Sequence, residues 1–151
     1  MNPVFEVLQE KDIPTLHSFM KGLWDYRPER IGAFLSEKQN IAFTAKLDGH
    51  IIGLIYGYAL IRFDEKAPQF FIYSVDIAPA YQGKGYGSDF IKYAVDWAGE
   101  QGFGESFVLT DKTNDRACHI YEKAGMTHSA ADCERMYVIA YSQSQEGAFI
   151  P

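Results

Sequence analysis

The stretch that most constrains this chain is Pro79-Ala-Tyr-Gln-Gly-Lys-Gly-Tyr-Gly-Ser-Asp-Phe90, with three glycines in five positions. An apolar, alternating run, Gln69 to Ala78, comes directly before it. Directly after it, Phe90, Ile91, Ala94, Val95 and Ala98 recur at helical spacing. Strand, glycine turn and helix in that order predict a crossover unit. A strand following the helix then pairs parallel with the first. Two familiar readings of such a turn do not fit. A phosphate loop of the nucleotide-hydrolase kind needs four residues between its glycines and a following Lys-Ser or Lys-Thr, whereas Lys84 stands between glycines. A dinucleotide fingerprint needs GxGxxG at the end of the strand. Here the spacing is GxGxG, and Pro79 to Gln82 intervene, although Asp111 falls where an acidic ribose ligand would be sought.

The rest of the chain sets that unit in a mixed domain. Phe5 to Leu8 alternates like a strand, and Asp12-Ile13-Pro14 predicts the capped start of a helix through about Lys21. Pro28-Glu29 opens a second helix, with Ile31, Phe34 and Leu35 inward. Ile41 to Leu47 and Ile51 to Arg62 are strands joined by Asp48-Gly49, a strong hairpin dipeptide. Glu105 to Thr110 predicts a strand. Asn114-Asp115 caps a helix with Ala117, Ile120, Tyr121 and Ala124 on its inner face and Gly125 as its stop. Met136 to Tyr141 predicts a closing strand, and 142–151 a loose tail. The expectation is one α+β (mixed α/β) domain over 1–141, with six to seven strands and about four helices.

Composition narrows function by exclusion. At 151 residues, 47% apolar and 15% aromatic, the chain can bury a core. No window offers the ~20 apolar residues of a membrane span, and the N-terminus lacks the features of a signal peptide. With Cys118 and Cys133 at no metal-ligand spacing, reduced thiols and a cytoplasmic location are expected. His17, His50, His119 and His128 are scattered, and no metal site is expected. A net charge of −6 argues against a nucleic-acid surface. Any polyanionic ligand must then be held locally.

Gln82-Gly83-Lys84-Gly85-Tyr86-Gly87, placed after Val75-Asp76-Ile77-Ala78-Pro79, resembles the Q/R-x-x-G-x-G/A signature of the GNAT superfamily of N-acetyltransferases. Asn114-Asp115-Arg116-Ala117 with Tyr121-Glu122-Lys123-Ala124-Gly125-Met126 resembles that superfamily's second motif, N-x-x-A-x-x-x-Y-x-x-x-G-F/M. The two motifs, in order and joined by a helix and a strand, cover residues 69–126. The resemblance implies an acyl-CoA N-acyltransferase fold and acetyl-CoA as co-substrate. It also implies transfer to a primary amine by direct attack in a ternary complex.

The residues admit that chemistry. Glycines 83, 85 and 87 bare successive amides at a helix N-terminus, where partial positive charge suits a pyrophosphate. Lys84 and Gln82 are peripheral partners, and Tyr86 and Ser88 belong to the same turn. By the resemblance, the main chains of Val75 and Ile77 pair with the pantetheine arm, and the Ile77 N–H stabilises the oxyanion. Asn114, with Ala117 in its motif, touches the same arm. Its other reading is a plain helix cap. Tyr121 is the candidate general acid, since thiol and phenol ordinarily titrate near about 8.5 and about 10. Its alternative is a core aromatic. For the base, Asp76 and Asp111 are the candidates, and either can instead be a cap or a solvated charge.

Tyr73-Ser74-Val75-Asp76-Ile77 and the segment Leu109-Thr110-Asp111-Lys112-Thr113-Asn114-Asp115-Arg116-Ala117 are similar to gentamicin-modifying aminoglycoside 3-N-acetyltransferases. The chain departs from that group at Ser74, where an aspartate is expected, and in a cofactor turn that is not arginine-rich. The implied acceptor is a small cationic amine, with Asp76, Asp111, Asp115, Asp132 and Glu134 available to line an acidic pocket. A polyamine, a peptide amine and a non-catalytic acyl-CoA-binding module remain alternatives. Ala148 to Pro151 is apolar enough to dock on a second copy in a homodimer, or to fray.

Overall fold

The computed structural model of the protein describes residues 1–21, 23, 27–64, 67–128 and 137–140. In chain order these form strand β1 (Val4–Val7), helices α1 (Ile13–Met20) and α2 (Glu29–Ser36), and strands β2 (Asn40–Leu47), β3 (His50–Leu60) and β4 (Gln69–Ile77). Helix α3 (Tyr86–Glu100), strand β5 (Glu105–Val108) and helix α4 (Asp115–Lys123) follow. The order agrees with the periodicity as far as α4. The sheet has five strands among the described residues, not six to seven. Residues 137–140 form no strand, because an apolar run becomes one only against a hydrogen-bonded neighbour, and Tyr137, Val138 and Ile139 are exposed. The remainder of the expected last strand, and the tail 142–151, lie outside the described residues.

The strands lie in sequence order, β1-β2-β3-β4-β5. The first three pairings are antiparallel and β4–β5 is parallel, with α3 as the crossover. Asp48 and Gly49 both take positive φ, 51° and 78°, the pair of left-handed positions that a two-residue hairpin turn requires. At the start of α1, Asp12 does not cap with its side chain. Its carboxylate instead accepts the Gln9 N–H at 2.9 Å and the Lys46 ammonium at 2.7 Å. Proline near the helix start sets the entry of α1, and Asp12 ties that entry to β2.

Apolar side chains fill both sides of the sheet. On one, α3 and α4 cover Phe43, Ile55, Phe70 and Ile72, with Phe90 and Ile91 of α3 among them. On the other, α1 and α2 bring Leu16, Met20 and Ile31 onto Ala42, Ile51 and Leu54. Each fully buried large side chain contributes about 1.5–3 kcal/mol. α4 starts where expected, with Asn114 Oδ1 accepting the Ala117 N–H at 3.1 Å, and Gly125 follows it at φ 94°.

Candidate active site

Strand β4 changes character along its length. It pairs with β3 from Gln69 to Ile77, but with β5 only from Gln69 to Ile72. Opposite β3 the register runs Tyr56↔Ser74 and then Gly57↔Ile72, so Tyr73 is an extra, unpaired residue. Such a bulge bends and twists its strand. Gly57 permits it: a Cβ there would run into the Phe71 carbonyl.

Past the bulge, β4 has no strand on its second edge among the described residues. The Ala78 N–H donates to the Ile52 carbonyl at 2.8 Å, toward β3. Backbone direction alternates along a strand, so the main-chain groups of Ile77 and Val75 face the other way, toward the edge β5 has left. There the Ile77 carbonyl accepts Gln82 Nε2 at 2.7 Å.

The glycine turn closes one end of this gap. Gly83 and Gly85 have φ of 77° and 86°, and Gly85 stands as the cap of α3 without a side-chain bond to the helix. The first-turn amides of α3 therefore lack intrahelical partners, as at any helix N-terminus. A Cβ at Gly87 would meet Ile120 Cδ1 at 3.3 Å, so this glycine lets α4 pack close to α3. Between them lies a cleft of about 390 Å³. Val75, Ile77, Gln82, Gly83, Gly85, Gly87 and Ser88 line one side, and Asn114, Ala117 and Ile120 the other. Lys84 and Tyr86 do not line it. The Lys84 ammonium sits 5.5 Å from the Tyr81 ring centroid, and Tyr86 packs on the core.

Three more residues on α4 line the cleft that the sequence reading passed over: Arg116, His119 and Lys123. Lys123 Nζ lies 3.6 Å from where a Cβ of Gly85 would stand, over the glycine turn itself. With Ile120 they follow i, i+3, i+4, i+7 spacing, one continuous helix face. That spacing is the signal in the sequence, on a face that shares Ile120 with the apolar stripe of the same helix. The protein carries a net −6, yet this cleft is locally cationic.

Tyr121 is half-buried against the core and is not among the residues that line the cleft. Burial holds its phenol above the ordinary range, helped by the Cys118 thiol and the Asp76 carboxylate. Asp76 lies opposite Leu54, and Ser74 opposite Tyr56, both of which pack toward α1 and α2. Residues paired across strands share a face, so Asp76 projects to that face, where it accepts the Ser74 hydroxyl at 2.8 Å. Asp111 is exposed, and its carboxylate accepts both the Thr113 N–H at 2.8 Å and the Thr113 hydroxyl at 2.7 Å. Those bonds hold it below the usual carboxylate range. Among the described residues no group of three or more acidic, histidine or cysteine side chains could hold a metal ion. No helix is long and apolar enough to cross a membrane.

Residues 6–126 match the model of the "Acetyltransferase (GNAT) family". The chain is 27% identical over 135 residues to streptothricin acetyltransferase A of Bacillus subtilis, covering 76% of this chain and 72% of that one. It is 30% identical over 90 residues to spermidine N(1)-acetyltransferase of Escherichia coli K12, covering 56% of this chain but only 44% of that relative. Among solved structures, an aminoglycoside acetyltransferase from an uncultured soil sample, in complex with trehalose, superposes with a TM-score of 0.78. That match has 23% identity and covers 91% of this chain and 97% of the other. The vacated edge of β4, the glycine turn and the family match agree: the chain belongs to the GNAT family of N-acetyltransferases.

Proposed function

We propose that the protein transfers an acetyl group from acetyl-CoA to a primary amine of a small polycation, first an aminoglycoside at its 3-amine and alternatively a polyamine. The observation that carries the donor half is the vacated edge of β4. Val75 and Ile77 present main-chain groups to a gap that ends at two positive-φ glycines and an uncapped helix N-terminus. An extended amide-bearing arm can replace the missing strand there. A pyrophosphate fits the bared amides, with Lys123 and Arg116 as cationic partners. Lys84 and Gln82 are peripheral to it, and Asn114 and Ala117 border the arm.

The residues divide the chemistry as follows. The Ile77 N–H donates to the acyl oxygen as charge develops on it. Asp76, directly or through one water, accepts the proton of the attacking amine. Tyr121, protonated at neutral pH, donates to the departing sulfur. We favour Asp76 over Asp111 as the base, since Asp111 already accepts two bonds from Thr113 and is the weaker base for it.

The acceptor half rests on the relatives, which are named for streptothricin, spermidine and aminoglycosides. The test is thiol release from acetyl-CoA with a panel of gentamicin-type aminoglycosides, spermidine and peptide amines. Turnover with a polycation and not with peptides is expected. Binding of acetyl-CoA with no thiol released by any amine would instead mark a non-catalytic acyl-CoA-binding module. Absence of a thermal shift with acetyl-CoA would remove the donor.

A further inference from the structure

Helix α4 has two flanks, divided by Ile120, which stands against Gly87 of α3. At 3.6 residues per turn, Ala117 and Tyr121 lie about 60–100° to one side of Ile120, and Arg116, Lys123 and His119 about 40–100° to the other. Tyr121 packs on the core, whereas the three basic residues are exposed. The cleft is lined by Ala117 from the first flank and by all three basic residues from the second. Further round the helix, Asp115 and Glu122 bound the basic flank and do not line the cleft. Among the described residues Arg116, His119 and Lys123 form no ion pair, although Asp115 stands one helical turn before His119. In a chain of net charge −6, three unpaired basic side chains on one wall of a cleft mark a place for an anion.

A pyrophosphate does not use all of that wall. It is met by the bared amides of the glycine turn, with the Lys123 ammonium above Gly85. The uncharged arm belongs to the other flank, with Ala117 and the edge of β4. Along the helix axis the basic residues run about 10 Å from Arg116 to Lys123, with His119 between them. Around the helix, His119 is the one farthest from the flank that borders the arm. It stands where the rest of the donor, its nucleotide, leaves the cleft. Coenzyme A carries there a further anion, the ribose 3′-phosphate, a monoester of charge about −1.5 to −2 at neutral pH. We infer that His119, with Arg116 reaching from the same flank, holds this 3′-phosphate, so that the site selects CoA over 3′-dephospho-CoA. The imidazole donates an N–H, and the five N–H donors of the Arg116 guanidinium serve this phosphate as well as the pyrophosphate. This rests on the acetyl-CoA reading above and adds to it the group by which the cleft recognises the nucleotide end of the donor.

The experiment is calorimetric titration of the wild-type chain, His119→Ala, Lys123→Met and Lys92→Met with CoA and with 3′-dephospho-CoA, which needs no acceptor. We expect the wild type to bind CoA at least tenfold more tightly than the dephospho form. His119→Ala, at an exposed helix position that alanine suits, should bring the two within threefold by weakening CoA alone. Lys123→Met should weaken both ligands by the same factor, since both carry the pyrophosphate. Lys92→Met removes a charge that pairs with Asp96 on α3, outside the cleft lining, and should change neither. A wild type that binds both ligands equally overturns the inference and leaves the donor reading standing. So does a His119→Ala variant that keeps the preference, or one that weakens both ligands alike and so acts on a part common to the two. A loss confined to CoA in Lys123→Met or Lys92→Met, and absent from His119→Ala, overturns it as well. If neither ligand binds the wild type, the donor reading falls and the inference with it.

Discussion

The two halves of β4 differ in one respect, the number of strands beside them. From Gln69 to Ile72 the strand is held on both edges, and Phe70 and Ile72 are fully buried. From Ser74 to Ile77, past the Tyr73 bulge, it pairs with β3 alone among the described residues, no side chain is fully buried, and the free edge borders the cleft. The same nine-residue run is therefore framework at one end and site at the other. Losing a neighbour is what makes the site, because a backbone edge without a strand must be satisfied by something else.

Substitutions should sort by half. The largest effect falls in the first: Phe70→Ala should lower stability by about 3–5 kcal/mol through the cavity it leaves. Its urea midpoint should fall while the KM values of the molecules still folded stay put. At the boundary, Gly57→Ala sets a methyl against the Phe71 carbonyl. We expect a loss of about 3 kcal/mol together with weakened acetyl-CoA binding, since the bulge cannot form as it does now. A stable variant with normal kinetics would dissolve the distinction between the halves. Beyond the boundary the effects should be kinetic. Tyr121→Phe should cut turnover about a hundredfold or more, with acetyl-CoA affinity and melting temperature little changed; equal turnover would remove Tyr121 as the acid. Lys123→Met should raise acetyl-CoA KM about tenfold, the size of one charge-assisted hydrogen bond. Lys84→Met, whose ammonium sits over Tyr81, should change it less.

The smallest effects are in pH. Burial raises the Tyr121 phenol, so the alkaline fall in turnover from losing this acid should begin above the ordinary phenol value of about 10. A limb centred near 8.5 would assign the acid elsewhere. Burial also pushes Tyr56 up to about 12, ahead of the fields of Tyr58, Tyr73 and Asp76. A folded-state value above the unfolded one means stability that is whole below pH 10 and lost between about 10 and 12. Tyr56→Phe should soften alkaline unfolding in that window.

What could be read in advance was local. The Asp48-Gly49 turn, the Pro14 and Asn114 helix starts, the Gly125 stop and the alternating run before the glycines each depend on neighbours within a few residues. They appear where the pattern put them. The Asp12 cap misled because its carboxylate found a stronger partner, Lys46, thirty-four positions away. Arg116, His119 and Lys123 were legible as one helical face, but not as facing a glycine turn on another helix.

By its own pattern the sequence determined the element order, the parallel crossover through α3 and the glycine turn that opens it, since backbone dihedral preferences and side-chain periods act over short range. Only the tertiary structure decided where β4 gives up β5, and that Tyr73 is the residue left over at the bulge. It alone placed Lys123 above Gly85 and gathered three tyrosines from two strands beside Asp76. Those outcomes turn on register between distant segments, where a shift of one residue reverses the face of every side chain.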